Sequence, residues 1–191
     1  MEDAPTRTPP TLATIISDSA ALGFAMSCEA RTGALLATLA ASKPGGRLLE
    51  LGTGTGAGAA WLLDDMSGDA TLTSVEVDPR VQAVAVRHLG ADRRVTFEVA
   101  DAHAWLRGYQ GEPFDLAFVD CRPGKFHDLE TLLGLLRIGG LYVGDDLLPQ
   151  PTWPDDHQQR VDAFLSRLPT VAGLRAVTMA WASGLVVGAR I

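Results

Sequence analysis

Only two cysteines, Cys28 and Cys121, occur in 191 residues. Two thiols cannot build a disulfide framework or a cysteine metal cluster, so the sequence reads as that of a cytoplasmic protein in a reducing compartment. No run of about 18 apolar residues is present, which excludes a helical membrane span. The opening MEDAPTRTPP is acidic and lacks an apolar stretch, so it does not read as a secretory signal. Residues 1–10 are expected to be a flexible tail ahead of a single domain over residues 11–191. Basic residues are scarce too: 16 Lys and Arg stand against 23 Asp and Glu, for a formal charge of −7. Phosphate contacts dominate nucleic-acid affinity, and no Lys/Arg cluster is present to make them, which weighs against an RNA or DNA partner. The four histidines, His88, His103, His127 and His157, are scattered, and none is assigned to chemistry, since an imidazole metal site would need them clustered.

What the chain does have is alternation. The apolar runs RLLELG (47–52), TLTSVEVD (71–78), VTFEVAD (95–101), FDLAFVD (114–120) and GGLYVGDD (139–146) are each followed by a helix-compatible stretch. Pro79 sits well at a first helical position. Strands alternating with helices imply βαβ units and a parallel sheet with right-handed crossovers. The end of the chain breaks this rhythm. LRAVTMAWASGLVVGARI reads as two strands joined by a turn around Ala182-Ser183-Gly184, which must pair antiparallel. Two helices precede the first strand, the second ended by Lys43-Pro44-Gly45-Gly46. The predicted fold is α/β and doubly wound: a mostly parallel seven-stranded sheet, helices on both faces and a C-terminal antiparallel hairpin.

The first strand runs into a glycine loop, Gly52-Thr53-Gly54-Thr55-Gly56-Ala57-Gly58. Glycines there let the backbone approach a ligand, and the following helix start offers N–H groups to an anion. By itself this loop allows a dinucleotide or S-adenosylmethionine (SAM), since Gly52-x-Gly54-x-x-Ala57 also satisfies the dinucleotide fingerprint. Glu50 favours SAM, because a carboxylate beside a pyrophosphate would repel it. The terminal hairpin likewise departs from the dinucleotide dehydrogenase pattern.

In an open α/β sheet, ligands bind at the carboxyl ends of the strands. All five expected parallel strands end in acids: Glu50, Glu76 with Asp78, Asp101, Asp120, and Asp145 with Asp146. One such acid is an ordinary turn or helix cap. Five together crowd negative charge on one rim, an unfavourable arrangement unless cations or ligand hydroxyls and amines lie there. Glu76 stands where an acid accepts ribose hydroxyl protons, and Asp101 can take an adenine amino group or cap the next helix. Asp120, Asp145 and Asp146 converge if the fourth and fifth strands pair, and would then hold Mg²⁺ or another divalent cation through oxygen ligands.

These residues resemble the small metal-dependent O-methyltransferases of class I, the group of catechol and caffeoyl-CoA O-methyltransferases and their bacterial relatives. MSCEARTGALLATLAASKPGGRLLELGTGTGAG, SVEVDP, FDLAFVD and LLRIGGLYVGDDLL carry the likeness, which runs from about Met26 to the C-terminus. The resemblance implies a Rossmann-like SAM methyltransferase fold and transfer of a methyl group to a hydroxyl of a small molecule. By it, Met26 and Cys28 line the methyl-donor pocket, and Glu50, Gly52, Gly54, Gly56 and Gly58 hold the methionine part. Glu76 holds the ribose, Asp101 the adenine, and Asp120 stands at both cofactor and metal, with Asp145 and Asp146 completing the ligands.

Two departures from the family pattern stand out. Asp146 replaces the usual Asn, and Pro123 stands where the family has a Lys three residues after its first metal Asp. A turn at Pro123-Gly124 could bring Lys125 to that place as a catalytic base, the alternative being a solvated loop lysine. Trp153, in the loop LLPQPTWPDDH, is expected to wall the acceptor and stack on an aromatic substrate. The resemblance also suggests a homodimer through the N-terminal helices. Other readings stay open at this point: a metal-independent methyltransferase on another acceptor, including tRNA, a non-catalytic SAM-binding module, or an NAD dehydrogenase.

Overall fold

The computed structural model describes residues 3–150 and 153–191. Pro151 and Thr152, within the loop expected to wall the acceptor, lie outside the described residues, as do the first two residues of the expected tail. The elements run α1 (Leu12–Leu22), α2 (Ala30–Ala41), β1 (Arg47–Leu51), α3 (Ala57–Asp65), β2 (Thr71–Glu76), α4 (Pro79–Leu89), β3 (Val95–Val99) and α5 (Ala102–Gly108). They continue with β4 (Phe114–Val119), α6 (Leu129–Leu135), β5 (Leu136–Gly144), α7 (His157–Arg167), β6 (Leu174–Met179) and β7 (Leu185–Arg190). No helix among the described residues is long and apolar enough to cross a membrane.

The seven strands form one sheet in the order β3-β2-β1-β4-β5-β7-β6. The first five pair in parallel, and β7 pairs antiparallel with both β5 and β6. The expected fold class is therefore present. The last strand inserts between β5 and β6, and so fills the edge that the parallel strands leave open.

Strand periodicity divides the core into two layers. Leu48, Leu116, Phe118 and Val143 face α1–α4, with Ile15, Leu36, Ala40, Leu62 and Leu89 packed on them. Leu49, Leu51, Ala117, Val119 and Tyr142 face the other way, onto Leu106, Leu129, Leu132, Val161 and Phe164 of α5–α7. Adjacent residues thus serve opposite layers, which is why these strands read as continuous apolar runs. Burying both faces forces polar function out to the strand ends and the loops that follow them.

Local signals act where expected. Pro79 opens α4, and the Asp78 carboxylate caps it by accepting from the Arg80 N–H at 2.8 Å. Within the segment expected to be a tail, Pro9 is buried, and Arg7 pairs with Asp64 and Asp65 of α3 at 2.8 and 2.5 Å. The Arg7 side chain is largely exposed, so these pairs hold the segment at the surface and contribute little stability.

The hairpin turn docks on the segment that follows β5. Leu148 N–H donates to the Ser183 carbonyl at 2.7 Å, and Leu147 N–H to that of Gly184 at 3.0 Å. Gly184 has φ of 86°, and a Cβ there would lie 2.6 Å from the Leu148 nitrogen. Gly184→Ala therefore meets both the left-handed penalty and a backbone clash. It is expected to lower stability by about 2 kcal/mol or more. Urea denaturation reads this as a lower midpoint at unchanged slope.

Candidate active site

The cavity at the carboxyl edge of β1, β2 and β4 has a volume of about 270 Å³. Its wall includes Met26, Cys28, Glu50, Gly52, Gly54, Gly58, Glu76, Asp101 and Asp120, nine of the ten residues expected around the cofactor. Gly56 is the exception. It faces α4, where a Cβ would come within 2.6 Å of the Ala85 Cβ, so its lack of a side chain serves the packing of the loop on that helix. Gly58 lines the cavity for a particular reason: a Cβ there would run into Oε1 of Glu50.

Glu50 lies in β1 and is fully buried. Its Oε2 accepts a short hydrogen bond from Ser74 Oγ, and its Oε1 is buried without a partner among the described residues. Burial lifts this carboxyl from 4.5 to about 8; the Ser74 bond opposes the lift, and the Glu76 charge adds to it. Thr53 Oγ1 lies 2.6 Å from Ser74 Oγ, and Gln82 Nε2 donates to Thr53 Oγ1 at 3.2 Å. This buried polar chain links the glycine loop to β2 and α4, and none of its members was singled out from the sequence. At the end of β2, Glu76 accepts from the N–H groups of Gly54, Val77 and Asp78 at 2.8, 2.9 and 3.1 Å. It thereby locks the loop while its carboxylate faces the cavity. Asp101 caps α5 through the Ala104 N–H at 2.9 Å and lines the cavity as well, so the two readings of this residue coexist.

A second cavity, of about 260 Å³, adjoins the first. Met26, Ser27, Cys28, Asp120 and Asp146 belong to both walls. Pairing of β4 with β5 sets Val119 against Gly144, which brings Asp120 and Asp145 out side by side, with the Asp145 N–H bonded to the Val119 carbonyl at 3.1 Å. Asp145 Oδ1 accepts from Ser183 Oγ of the hairpin turn and from the Asp146 N–H. Asp146 has φ of 61°, a left-handed conformation that Asn and Asp tolerate better than other side chains. That backbone requirement accounts for either residue at this place.

The three acids share the second cavity wall, and the structure shows their mutual cost. Burial pushes Asp120 well above the carboxylate range, and the charges of Asp145 and Asp146 add to it. Burial likewise lifts Asp145 to about 6, against the Ser183 hydrogen bond. The positive charge of Lys125 partly relieves both. Three carboxylates less one ammonium leave two negative charges when all are ionised, a balance that suits one divalent cation. The all-oxygen donor set suits a hard ion such as Mg²⁺.

Several expectations change here. Lys125 is not a solvated loop lysine. It is 1% exposed, its Nζ donates to the Asp145 carbonyl at 2.6 Å, and it lines neither cavity. Gly124 N–H donates to the His127 carbonyl at 2.7 Å, and the buried Tyr142 hydroxyl to that of Gly124 at 3.0 Å. The turn at Pro123-Gly124 therefore carries Lys125 inward beneath the acids.

Trp153 lines the second cavity, but its ring packs on His157 with centroids 4.1 Å apart, and its indole N–H is buried without a partner among the described residues. The imidazoles are not scattered in space. His157 lines the second cavity, and His103 and His127 meet at Asp128. That trio, rather than the aspartates, is the group among the described residues whose ligand atoms all lie within 4.8 Å of one another.

The chain matches the model of a methyltransferase domain family over residues 49–147, just over half its length. The chain belongs to this methyltransferase family. A Mycobacterium ulcerans protein named "Putative O-methyltransferase" is 35% identical to the methyltransferase over 116 residues, covering 58% of this chain and 52% of that protein. The chain spans about half the length of the curated relatives it matches. Among solved structures, the O-methyltransferase TomG of Streptomyces achromogenes, in complex with SAM, superposes with a TM-score of 0.83 at 24% identity. It covers 96% of this chain and 91% of that one. An O-methyltransferase of Bacillus cereus, in complex with SAH, gives 0.84 at 20%, with 99% and 94% covered. These two likenesses carry the fold.

The pH behaviour of the ligand-free methyltransferase follows from Glu50. An acid raised in the fold keeps its proton there while the unfolded chain loses it. Stability therefore falls as pH rises from about 4.5 to about 8 and levels off above. Asp120 and Asp145 act in the same sense. Glu50→Gln removes the Glu50 share, of the order of a few kcal/mol. The variant is expected to have a higher urea midpoint than wild type near pH 8 and a flatter pH dependence below it. Identical pH profiles for the two proteins would refute the assignment.

Proposed function

We propose that the chain is a SAM-dependent O-methyltransferase that methylates a hydroxyl of a small molecule with the help of a divalent cation, Mg²⁺ or a similar ion. The observation that carries this reading is the shared wall of the two cavities. On one side stands a buried, unpartnered Glu50 oxygen beside a glycine loop; on the other stand three carboxylates. An orphaned buried oxygen is costly and invites a cationic N–H donor such as the ammonium of a bound amino-acid moiety. The first turn of α3, which has no side-chain cap, offers N–H groups to the carboxylate of the same moiety. Glu76 and Asp101 line the same cavity and would take ribose hydroxyls and an adenine amine.

The residues then act chiefly by positioning. SAM supplies an already activated methyl group, and a divalent cation supplies charge that lowers the acceptor hydroxyl pKa. Met26 and Cys28, in both walls, border the line between donor and acceptor and keep it poor in water. Asp120, Asp145 and Asp146 would hold the cation, with Ser183 fixing the Asp145 carboxylate. Lys125 supports the Asp145 backbone from beneath and balances part of the charge. Trp153 and His157 form the outer wall against which an acceptor ring could pack.

A second reading, a metal-independent methyltransferase, draws support from two features: the Lys125 ammonium already lies among the acids, and the aspartate oxygens are more widely spread than those of the histidine cluster. A cytoplasmic location and a homodimer through the N-terminal helices belong to the proposal as well. Ile16 and Leu22, exposed on α1, are compatible with such an interface.

Calorimetry with S-adenosylhomocysteine is expected to give one site per chain. Glu76→Ala should weaken it about 10–100-fold, the worth of one or two charge-assisted hydrogen bonds. Methyl transfer to a vicinal diol-bearing aromatic such as a catechol should cease after EDTA treatment and return with Mg²⁺, and Asp120→Asn should lower it at least about tenfold. Full activity after EDTA selects the metal-independent reading. No binding of S-adenosylhomocysteine overturns both.

A further inference from the structure

We propose that His103, His127 and Asp128 form a second metal site, for Zn²⁺ or a similar borderline transition-metal ion, at the outer rim of the donor cavity. His103 belongs to the first turn of α5, and His127 and Asp128 immediately precede α6. Nδ1 of each imidazole lies 2.6 Å from the same oxygen, Asp128 Oδ2. The rings meet edge-on with centroids 5.8 Å apart. Both imidazoles are about half exposed, whereas the carboxylate between them is only 8% exposed. The result is a shallow cup with its acid at the bottom and two nitrogens on its walls.

Asp128 shows what the arrangement demands. It adopts φ of 58° and occupies the N-cap of α6, yet its side chain makes no capping bond, unlike Asp78 and Asp101. The carboxylate is turned to the histidines instead. Arg107 approaches its other oxygen at 3.9 Å, from an exposed position that lets it swing away. Burial pushes the Asp128 carboxyl up, but the hydrogen bonds from His103 and His127 outweigh that and hold it below its ordinary value. Its Oδ2 and the two Nδ1 atoms face one another, so a cation between them would meet all three donors once each imidazole carries its hydrogen on Nε2.

Two imidazole nitrogens and one carboxylate oxygen suit Zn²⁺, Co²⁺ or Ni²⁺ and do not suit Mg²⁺. Ligand bonds of about 2.0–2.1 Å at tetrahedral angles separate donor atoms by roughly 3.3 Å. The rings need withdraw from the oxygen by less than about 1 Å, which half-exposed side chains do readily. Three protein ligands leave a fourth position to water.

The ion would tie the starts of α5 and α6, two helices of seven residues each. The start of α5 flanks the donor cavity through Asp101 and Ala102, and Pro123, which bridges to His127, lines it as well. The site is separate from the aspartates and does not depend on the proposed methyl transfer.

The test is calorimetric titration of the chelator-stripped full chain with Zn²⁺ near neutral pH. Visible absorption of the Co²⁺-loaded chain is followed in parallel. One Zn²⁺ per chain with micromolar affinity is expected, together with a rise in thermal midpoint. His103→Ala and His127→Ala should each weaken Zn²⁺ at least tenfold and abolish the Co²⁺ band. Asp128→Asn, which keeps a residue suited to the left-handed conformation, should weaken it with the fold intact by circular dichroism. His88→Ala, away from the cluster, should bind as wild type does. No saturable Zn²⁺ binding, or binding unchanged by both histidine substitutions, overturns the proposal.

Discussion

Ionised carboxylates packed at one edge of a sheet repel one another, and in a partly desolvated setting each raises the cost of the next. Much of this protein's functional edge is a response to that repulsion. Glu50, Asp120 and Asp145 have all been pushed upward by burial, and each feels a neighbouring acid as well. The fold places them there because β1, β4 and β5 are buried on both faces, which leaves the strand ends for polar groups. Such a cluster is a poor contributor to ligand-free stability and a good receptor for positive charge.

Partial compensations come from distant parts of the chain. Ser74 from β2 bonds one oxygen of Glu50 and leaves the other bare. Ser183 from the hairpin turn bonds Asp145. Lys125 brings a single ammonium beneath the acids and donates to a backbone carbonyl. None of these neutralises the edge, and the remaining charge is oriented into the two cavities. The stability relinquished here is the same free energy that binding of a cationic ligand can recover.

The alternation of strands and helices was legible because parallel strands buried on both faces are short apolar runs and because the turns after them carry glycine and acids. Pro79 announced α4, and Asp101 announced α5, since these are local signals. The terminal hairpin was legible from the short turn between two apolar runs. The insertion of β7 between β5 and the edge strand β6 was not, because that choice depends on pairing with a strand far upstream. All five acidic strand ends contribute to the donor cavity wall, through Glu50, Glu76, Asp101, Asp120 and Asp146. Gly56 was misplaced because glycine spacing does not distinguish a ligand-facing position from one that faces a packed helix.

The sequence by itself determined the elements, the glycine loop, the acids that end the strands and the family. Each is written in contiguous residues whose periodicity or spacing has a direct conformational meaning. Only the tertiary structure decided that Ser183 would reach Asp145, that Lys125 would turn inward, and that His103 and His127 would meet at Asp128. These contacts join residues far apart along the chain or hinge on the direction of a single turn. Their geometry is set by how helices settle on the sheet, which no local pattern of side chains encodes.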